Sequence, residues 1–368
     1  MKKTLYGTTA LIAASFAMAG SANAQGIELG VGGYMNNFFG FGDVEDDALG
    51  DYNETGHFSD GEIHFSGETT LDNGITVGAQ VQLESFSQFG GDQIDENYAY
   101  VEGSFGRVLL GSENTAAYLM QYSAPNVGVP VNSGWVTAFV APAQGYNGGV
   151  FRHPSGSTFG DWGNDENQVS YYTPRFAGFQ VGASYQPAVT GSGDGANFPV
   201  NPTPAAEGNH GVSLGANFVR SFNGFDVAVA GGYREIMDEN PALYGDSPAM
   251  YSAGLNLGYG GFTVGGSWLM QDSENPGGGD SRDDGNAFDA GVSYTTGPWS
   301  VGVMGLWSET EGNAGGGDQE YETYQGAVEY ALGPGITTSF TVLYANWEAD
   351  TGNESDGILG IAGLALSF

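Results

Sequence analysis

Two kinds of chemistry-bearing residue stand out in this chain: a handful of histidines and a large excess of carboxylates. His57, His64, His153 and His210 are the only histidines, and so the only imidazoles available as a general base. His64 has a hydroxyl nearby in Ser66, but a nucleophile also needs its base within hydrogen-bond reach and an oxyanion site beside it. Two-residue spacing along a strand is commonplace, and no Walker, dinucleotide-binding, zinc-protease or Gly-x-Ser-x-Gly motif occurs. An enzyme is therefore not expected. The carboxylates point elsewhere. There are 43 Asp and Glu against 8 Lys and Arg, a formal net charge of −35, which repels nucleic acid and anionic surfaces. Apart from Lys2 and Lys3, the cations are Arg107, Arg152, Arg175, Arg220, Arg234 and Arg282.

The elements that must carry these charges follow a rhythm. Segments of about ten residues alternate apolar and polar positions, as β-strands with two different faces do. Ile63, Phe65 and Leu71 oppose Glu62, His64, Ser66 and Glu68; Ile75, Val77, Ala79, Val81 and Leu83 oppose Thr76, Gln80, Gln82 and Glu84. The connectors sort into two lengths. Short ones lie at 72–74, 104–106, 174–178, 223–224, 260–261, 296–298 and 333–335, and long acidic ones at 40–57, 186–209 and 271–286. Transmembrane barrels of the outer-membrane type place short turns on the periplasmic side and long loops outside. The apolar face then belongs to lipid and the Glu/Gln/Ser/Thr/Asn face to a wet lumen.

Alternation predicts sixteen strands, at 27–39, 60–71, 75–85, 96–103, 107–113, 167–173, 179–185, 210–219, 226–236, 249–258, 262–270, 287–295, 299–309, 320–332, 336–348 and 357–368. An even count puts both ends of the barrel in the periplasm. Sixteen strands leave an aqueous channel where eight would fill with side chains. Aromatic residues at strand ends, among them Tyr98, Tyr100, Phe176, Phe179, Phe222, Phe225, Tyr259, Phe262, Trp299, Tyr344 and Trp347, suit interfacial girdles.

Residues 1–24 carry a basic start, an apolar stretch and the small-residue site Ala22-Asn23-Ala24, the pattern of a cleaved signal peptide. The barrel is expected over 25–368. Cysteine is absent, which excludes disulfides and thiolate metal sites. Abundant aromatics (13 % of residues) and regular alternation argue against disorder despite the acidity.

Three stretches resemble the general diffusion porins of Gram-negative bacteria, particularly alphaproteobacterial members. They are residues 98–111 (YAYVEGSFGRVLLG), 167–179 (NQVSYYTPRFAGF) and the terminal 357–368 (GILGIAGLALSF). The resemblance implies an all-β, 16-stranded antiparallel barrel in the outer membrane and a homotrimer in contact with lipid and lipopolysaccharide. It also implies a C-terminal signal, Leu364, Leu366 and Phe368, recognised by the barrel-assembly machinery. It further implies a third loop folded into the barrel as a constriction, a position that 114–166 fits. A loop of that length needs a functional reason, and its Tyr118, Tyr122, Trp135, Phe139, Tyr146, Phe151 and Trp162 are candidate anchors to the inner wall.

In that family, acids on the third loop face a basic cluster on the wall. This chain departs from the pattern, because Tyr172 stands where enterobacterial relatives place a wall arginine. By parity Arg107 and Arg234 face the lumen, with Arg152 on the third loop; the lumen acids are Glu62, Glu68, Glu84, Glu102 and Glu329, with Asp161, Asp165 and Glu166 at the loop's end. An acid-lined pore favours cations, so passive diffusion of small hydrophilic solutes and ions with cation preference is the expected function. A substrate-specific channel or a structural, adhesin-like barrel is the alternative. No cofactor is expected beyond structural Ca²⁺ or Mg²⁺, which clustered loop acids could hold; spacing names no ligand set.

Overall fold

The computed structural model describes residues 26–85, 94–143, 157–159, 165–189, 209–238, 248–272, 284–311 and 317–368. Residues 1–24, where a signal peptide is expected, and Arg152, Asp161, Tyr146, Phe151 and Trp162 lie outside the described residues, as does the side chain of Trp135.

Sixteen strands form one closed antiparallel barrel in which each strand pairs with its sequence neighbours and the first pairs with the last. They are β1 (Glu28–Asp46), β2 (Thr55–Thr70), β3 (Thr76–Glu84), β4 (Asn97–Gly103), β5 (Gly106–Ser112), β6 (Asn167–Tyr172), β7 (Phe179–Gln186) and β8 (Asn209–Phe222). There follow β9 (Phe225–Asp238), β10 (Ala249–Tyr259), β11 (Phe262–Asp272), β12 (Gly285–Thr296), β13 (Trp299–Thr310), β14 (Gln319–Gly333), β15 (Ile336–Glu348) and β16 (Glu354–Ser367). Closure removes sheet edges, so every strand's backbone is paired inside the bilayer, where water cannot substitute. The last residue completes it: Phe368 and Gly33 exchange backbone hydrogen bonds of 2.9 and 3.1 Å.

The turns explain the short side of the rhythm. Asn223 and Gly224 both take positive φ (50° and 83°), the conformation of a two-residue hairpin turn whose twist matches the flanking strands. At this end, aromatic pairs follow one another round the rim. Phe179 packs on Phe218 (4.6 Å between ring centroids), Phe225 on Tyr259 (4.4 Å), Phe262 on Tyr294 (4.5 Å) and Trp299 on Tyr330 (4.6 Å).

Outward positions are apolar and exposed to the surroundings, as at Leu29, Phe65, Leu110, Val181, Leu214, Val264, Val303 and Val342. A soluble protein would hide such a band; lipid requires it.

Three expectations are corrected. β1 and β2 run on to Asp46 and back from Thr55, so most of the connector expected at 40–57 is paired strand. Along 40–46 the inner side is buried, as at Val44 and Asp46, while Asp43 and Glu45 are exposed on the other side, so acids on both faces hide the alternation although the hydrogen bonds continue. Trp347 does not belong to a girdle. It is buried inside the barrel, stacked on Tyr321 at 3.8 Å, and its Nε1 donates to Val140 O at 3.1 Å. Finally, the inner face is not uniformly polar: Leu306, Leu343, Leu359 and Ile361 point inward and are buried in an apolar cluster.

The two-faced wall yields a contrast that urea titration in lipid vesicles can read. Val303→Arg, on the lipid face of β13, is expected to destabilise the barrel by about 2–4 kcal/mol, the cost of an arginine near the bilayer midplane. Ser66→Arg, on the exposed inner face of β2, is expected to cost under about 1 kcal/mol.

Candidate functional site: the channel interior

The connector after β5 turns inward and is bound to the wall along its described length. It opens with a short helix, α1 (Ala116–Leu119), whose free N–H groups are met by wall hydroxyls. Ala116 N donates to Ser184 Oγ on β7 and Ala117 N to Ser213 Oγ on β8, each at 2.9 Å. Asn217 Nδ2 then donates to Met120 O at 3.1 Å. On β12 the buried carboxylate of Asp289 accepts from Ala124 N (3.0 Å), Asn132 Nδ2 (2.9 Å) and Thr158 Oγ1 (2.7 Å), and also from Ser267 N and Oγ on β11 (2.6 and 2.9 Å). Further round, Gly128 N donates to Glu329 Oε1 on β14 at 2.8 Å, and Ser355 Oγ on β16 to Ala141 O at 2.8 Å.

Glycine on the inner wall makes this approach feasible. A Cβ on Gly254 would lie 1.7 Å from Tyr122 O, and one on Gly215 2.4 Å from Ala116 O. At Gly232 a Cβ would sit 3.0 Å from that of Ala117. The loop thus lies in a track cut by missing side chains. Its anchors are mostly small: Ala124, Val129, Val131, Val136 and Val140 pack with Leu306, Leu343, Trp347, Leu359 and Ile361. The aromatic anchors expected from sequence play a lesser part. Phe139 packs edge-on against Phe38 and Phe58 (6.0 and 5.8 Å), Tyr118 against Phe159 (5.4 Å), and Tyr122 is half-buried.

The loop's described wall partners lie on β6–β16, on the outer half of β1 and at Phe58 near the start of β2, which leaves the inner face of β2–β5 around Glu62, Glu68, Glu102 and Arg107 as the uncovered wall. The sequence candidates divide accordingly. Glu62, Glu68, Glu84, Glu102 and Arg107 share that uncovered face: Glu62 is opposite Glu84, and Glu102 opposite Arg107. Glu68 and Glu102 are exposed there. Arg107 lies over the ring of Tyr100 at 4.1 Å, and Tyr100 OH donates to Glu68. Tyr172 is opposite Arg107 on the neighbouring strand β6.

Others are removed from the lumen water. Arg234 faces inward but is only 2 % exposed, beneath α1, with Nη2 donating to Gln186 Oε1 at 2.6 Å. Glu329 holds the loop, and Glu166 is fully buried. Asp165 adopts a positive φ of 60° where the loop returns to β6, and its carbonyl accepts from Ser112 Oγ.

Several acids of the inner wall are not among the sequence candidates. Gln82 O accepts from Asp95 N while Gln82 N donates to Glu96 O, so two residues oppose one. Such a bulge turns a side chain off the alternating pattern, and it brings Asp95 to the same face as Glu62 and Glu84. Glu96 and Glu113 are both buried, and Asn114 Nδ2 donates to Glu96 Oε1 at 2.9 Å. Burial and the charges of Asp95, Glu113, Asp165 and Glu62 raise the Glu96 carboxyl well above the usual carboxylate range, and burial raises that of Glu113. Asp289 had one available signal: an inward-parity acid flanked by small inward residues, Ala287 and Gly291.

A closed sixteen-strand barrel with a lipid-facing apolar wall, an aromatic rim and a loop folded into its interior is an outer-membrane channel barrel. A match to the Gram-negative porin family spans residues 7–350, and the chain belongs to that family. An anion-selective porin from Comamonas acidovorans has the same fold: TM-score 0.62, 15 % identity, covering 93 % of this chain and 100 % of that one. OmpT of Vibrio cholerae, in a trimer form, gives 0.59 at 11 % identity, covering 94 % and 100 %. An uncharacterised protein of Rickettsia conorii is 26 % identical over 164 residues, 40 % of this chain and 37 % of that protein, so little more than a third of that relative is spanned.

Hydrogen bonds to a charged group contribute about 1.5–3 kcal/mol each, and three of those to Asp289 come from the loop. Asp289→Ala is therefore expected to free the loop's middle, seen as larger, noisier single-channel conductance with strand content retained. Gly254→Ala is expected to shift the same segment and change conductance in the same assay.

Proposed function

We propose that this chain forms a water-filled, cation-preferring channel for passive diffusion of small hydrophilic solutes across the outer membrane. The observation that carries this reading is the charge of the uncovered wall. Glu62, Glu68, Glu84 and Glu102 face the interior there, and Arg107 is the arginine among the described residues that shares their face. Arg234 is sequestered, Arg175 binds Gly178 O in a short turn, and Arg220 lies on the outward parity of β8. Carboxylates along a narrow aqueous path lower the energy of cations and raise that of anions. The shared fold does not decide selectivity: the Comamonas relative is described as anion-selective, and charge on a common scaffold sets the sign.

The working unit in this reading is a homotrimer in contact with lipid and lipopolysaccharide. β4, β5 and β6 have 7, 7 and 6 residues. Tilted by about 40°, seven residues reach only about 18 Å, short of an apolar band of about 25 Å. A wall sector this low is better covered by protein than by lipid, and a second copy of the chain supplies it. The trimer form of OmpT supports the stoichiometry by analogy. Leu364, Leu366 and Phe368 lie on the outward face of the closing strand, where we expect the assembly machinery to read them.

Planar bilayers test the channel reading. Under a salt gradient the reversal potential is expected to show cation preference, falling between 0.1 and 1 M as the screening length shrinks from about 10 to about 3 Å; Glu68→Gln with Glu102→Gln reduces it. Anion preference refutes the proposal, and an absence of size-graded passage of neutral solutes refutes a general pore. For the trimer, Leu110→Arg on the low wall is expected to yield folded monomers on semi-native gels, while Glu68→Gln leaves the trimer band.

A further inference from the structure

The bulge at Asp95 and Glu96 assembles a group of acids that the channel reading does not require. One carboxylate oxygen from each of Glu62, Glu84 and Asp95 lies within 4.8 Å of the others. They come from three separate places in the chain, β2, the end of β3 and the bulge before β4. Like charges at this separation repel unless something between them compensates. Beside them is Glu96, only 6 % exposed, whose Oε1 accepts from Asn114 and whose buried Oε2 has no hydrogen-bond partner. That carboxyl lies within the field of Asp95 and Glu62. A buried carboxylate oxygen left without a partner calls for a cation or a proton.

We propose that Glu62, Glu84 and Asp95, completed by Glu96, bind one hard divalent cation of the Ca²⁺ class on the channel wall. The spacing fits. Ca²⁺ takes oxygen ligands at about 2.3–2.6 Å, so oxygens on opposite sides of the ion lie roughly 4.8 Å apart. The second layer is also built. Tyr34 OH donates to Glu62 Oε1 at 2.7 Å, and His64 Nε2 lies 2.6 Å from Glu62 Oε2. Tyr34 and His64 together orient Glu62 and leave a lone pair on each of its oxygens for a metal, as partners of ligating carboxylates do. Calcium suits the set better than magnesium, which demands near-ideal octahedral geometry and gives up water reluctantly. The bound ion would tie the bulge to β2 and β3 and reduce the wall's negative charge by two, making permeation responsive to external calcium.

Calorimetry of Ca²⁺ binding to the EDTA-treated full-length barrel in detergent tests this without reference to conductance or selectivity, so it can fail while the channel reading stands. Wild type is expected to show one saturable site per chain. Glu84→Gln and Asp95→Asn are expected to weaken that site at least tenfold, and Asp43→Asn, an exposed acid at the outer end of β1, to leave it unchanged. Circular dichroism confirms that each variant remains a barrel; should either fail to fold, Glu62→Gln replaces it in the same comparison. Absence of saturable binding, which would mean protons alone compensate the cluster, overturns the proposal. Binding that Glu84→Gln and Asp95→Asn leave unchanged, which would place the ion in the external loops, overturns it equally.

Discussion

The interior of this barrel depends on one buried carboxylate. Asp289 stands on the inner face of β12 and takes five hydrogen bonds, three from the third loop and two from Ser267 on the neighbouring strand. A charge buried without donors would cost several kcal/mol. Surrounded by backbone N–H, amide and hydroxyl donors, the same charge becomes a fixed point that joins Ala124, Asn132 and Thr158, three places well separated along the loop. An apolar contact has no such directionality. Valines and alanines can adhere to the wall in many registers, whereas Asp289 admits only the arrangement that brings all its donors together.

From that fixed point the interior divides into two regions. On one side β13–β16 carry an inward apolar cluster that the loop covers; Leu306, Leu343 and Ile361 are fully buried there. A sixteen-strand barrel is too wide for its own side chains to fill, and here the loop fills part of it while glycines on the wall give it depth. On the other side, β2–β5 carry the acids. The position of the loop therefore determines which charges meet water: Arg234 and Glu329 are withdrawn beneath it or bound to it, while Glu68 and Glu102 remain exposed. Selectivity and packing are two consequences of one placement.

Much of this was legible in the chain. Alternation and connector length located all sixteen strands, because lipid and water enforce opposite chemistry on alternate residues over most of the barrel. Legibility ended where that contrast weakens. At the outer end of β1 acids fall on both faces, with Asp46 buried inside and Asp43 and Glu45 exposed outside, so the segment reads as loop although it is paired strand. On β15 and β16 both faces are apolar, because Leu343 and Leu359 meet the loop inside while Val342 and Ile358 face outward. Trp347 reads as a rim aromatic because it stands at a strand end, and only the loop's path shows that it is buried inside. Asp95 was invisible to parity because a bulge inserts one residue and moves its side chain. Arg107 and Glu62 could be assigned to the lumen from alternation alone, but the burial of Arg234 required the loop's path, which is a long-range contact with no local signature.

The central claim is that the third loop lies fixed against the wall in its glycine track. The chain has no cysteine, so a single engineered disulfide can test the placement directly. A Cβ on Gly291 would lie 3.4 Å from that of Ala124, close to the roughly 3.5–4.5 Å span of a disulfide. It would also lie 2.8 Å from that of Met304, so β13 must yield slightly and circular dichroism must first show that the variant keeps its strand content. With Ala124→Cys and Gly291→Cys together, oxidation of the folded barrel is expected to be rapid and near-complete, with single-channel conductance unchanged on cross-linking. A bond that forms slowly or not at all, or a conductance that drops when it closes, would mean that the loop rests elsewhere, and the account of the interior would be wrong.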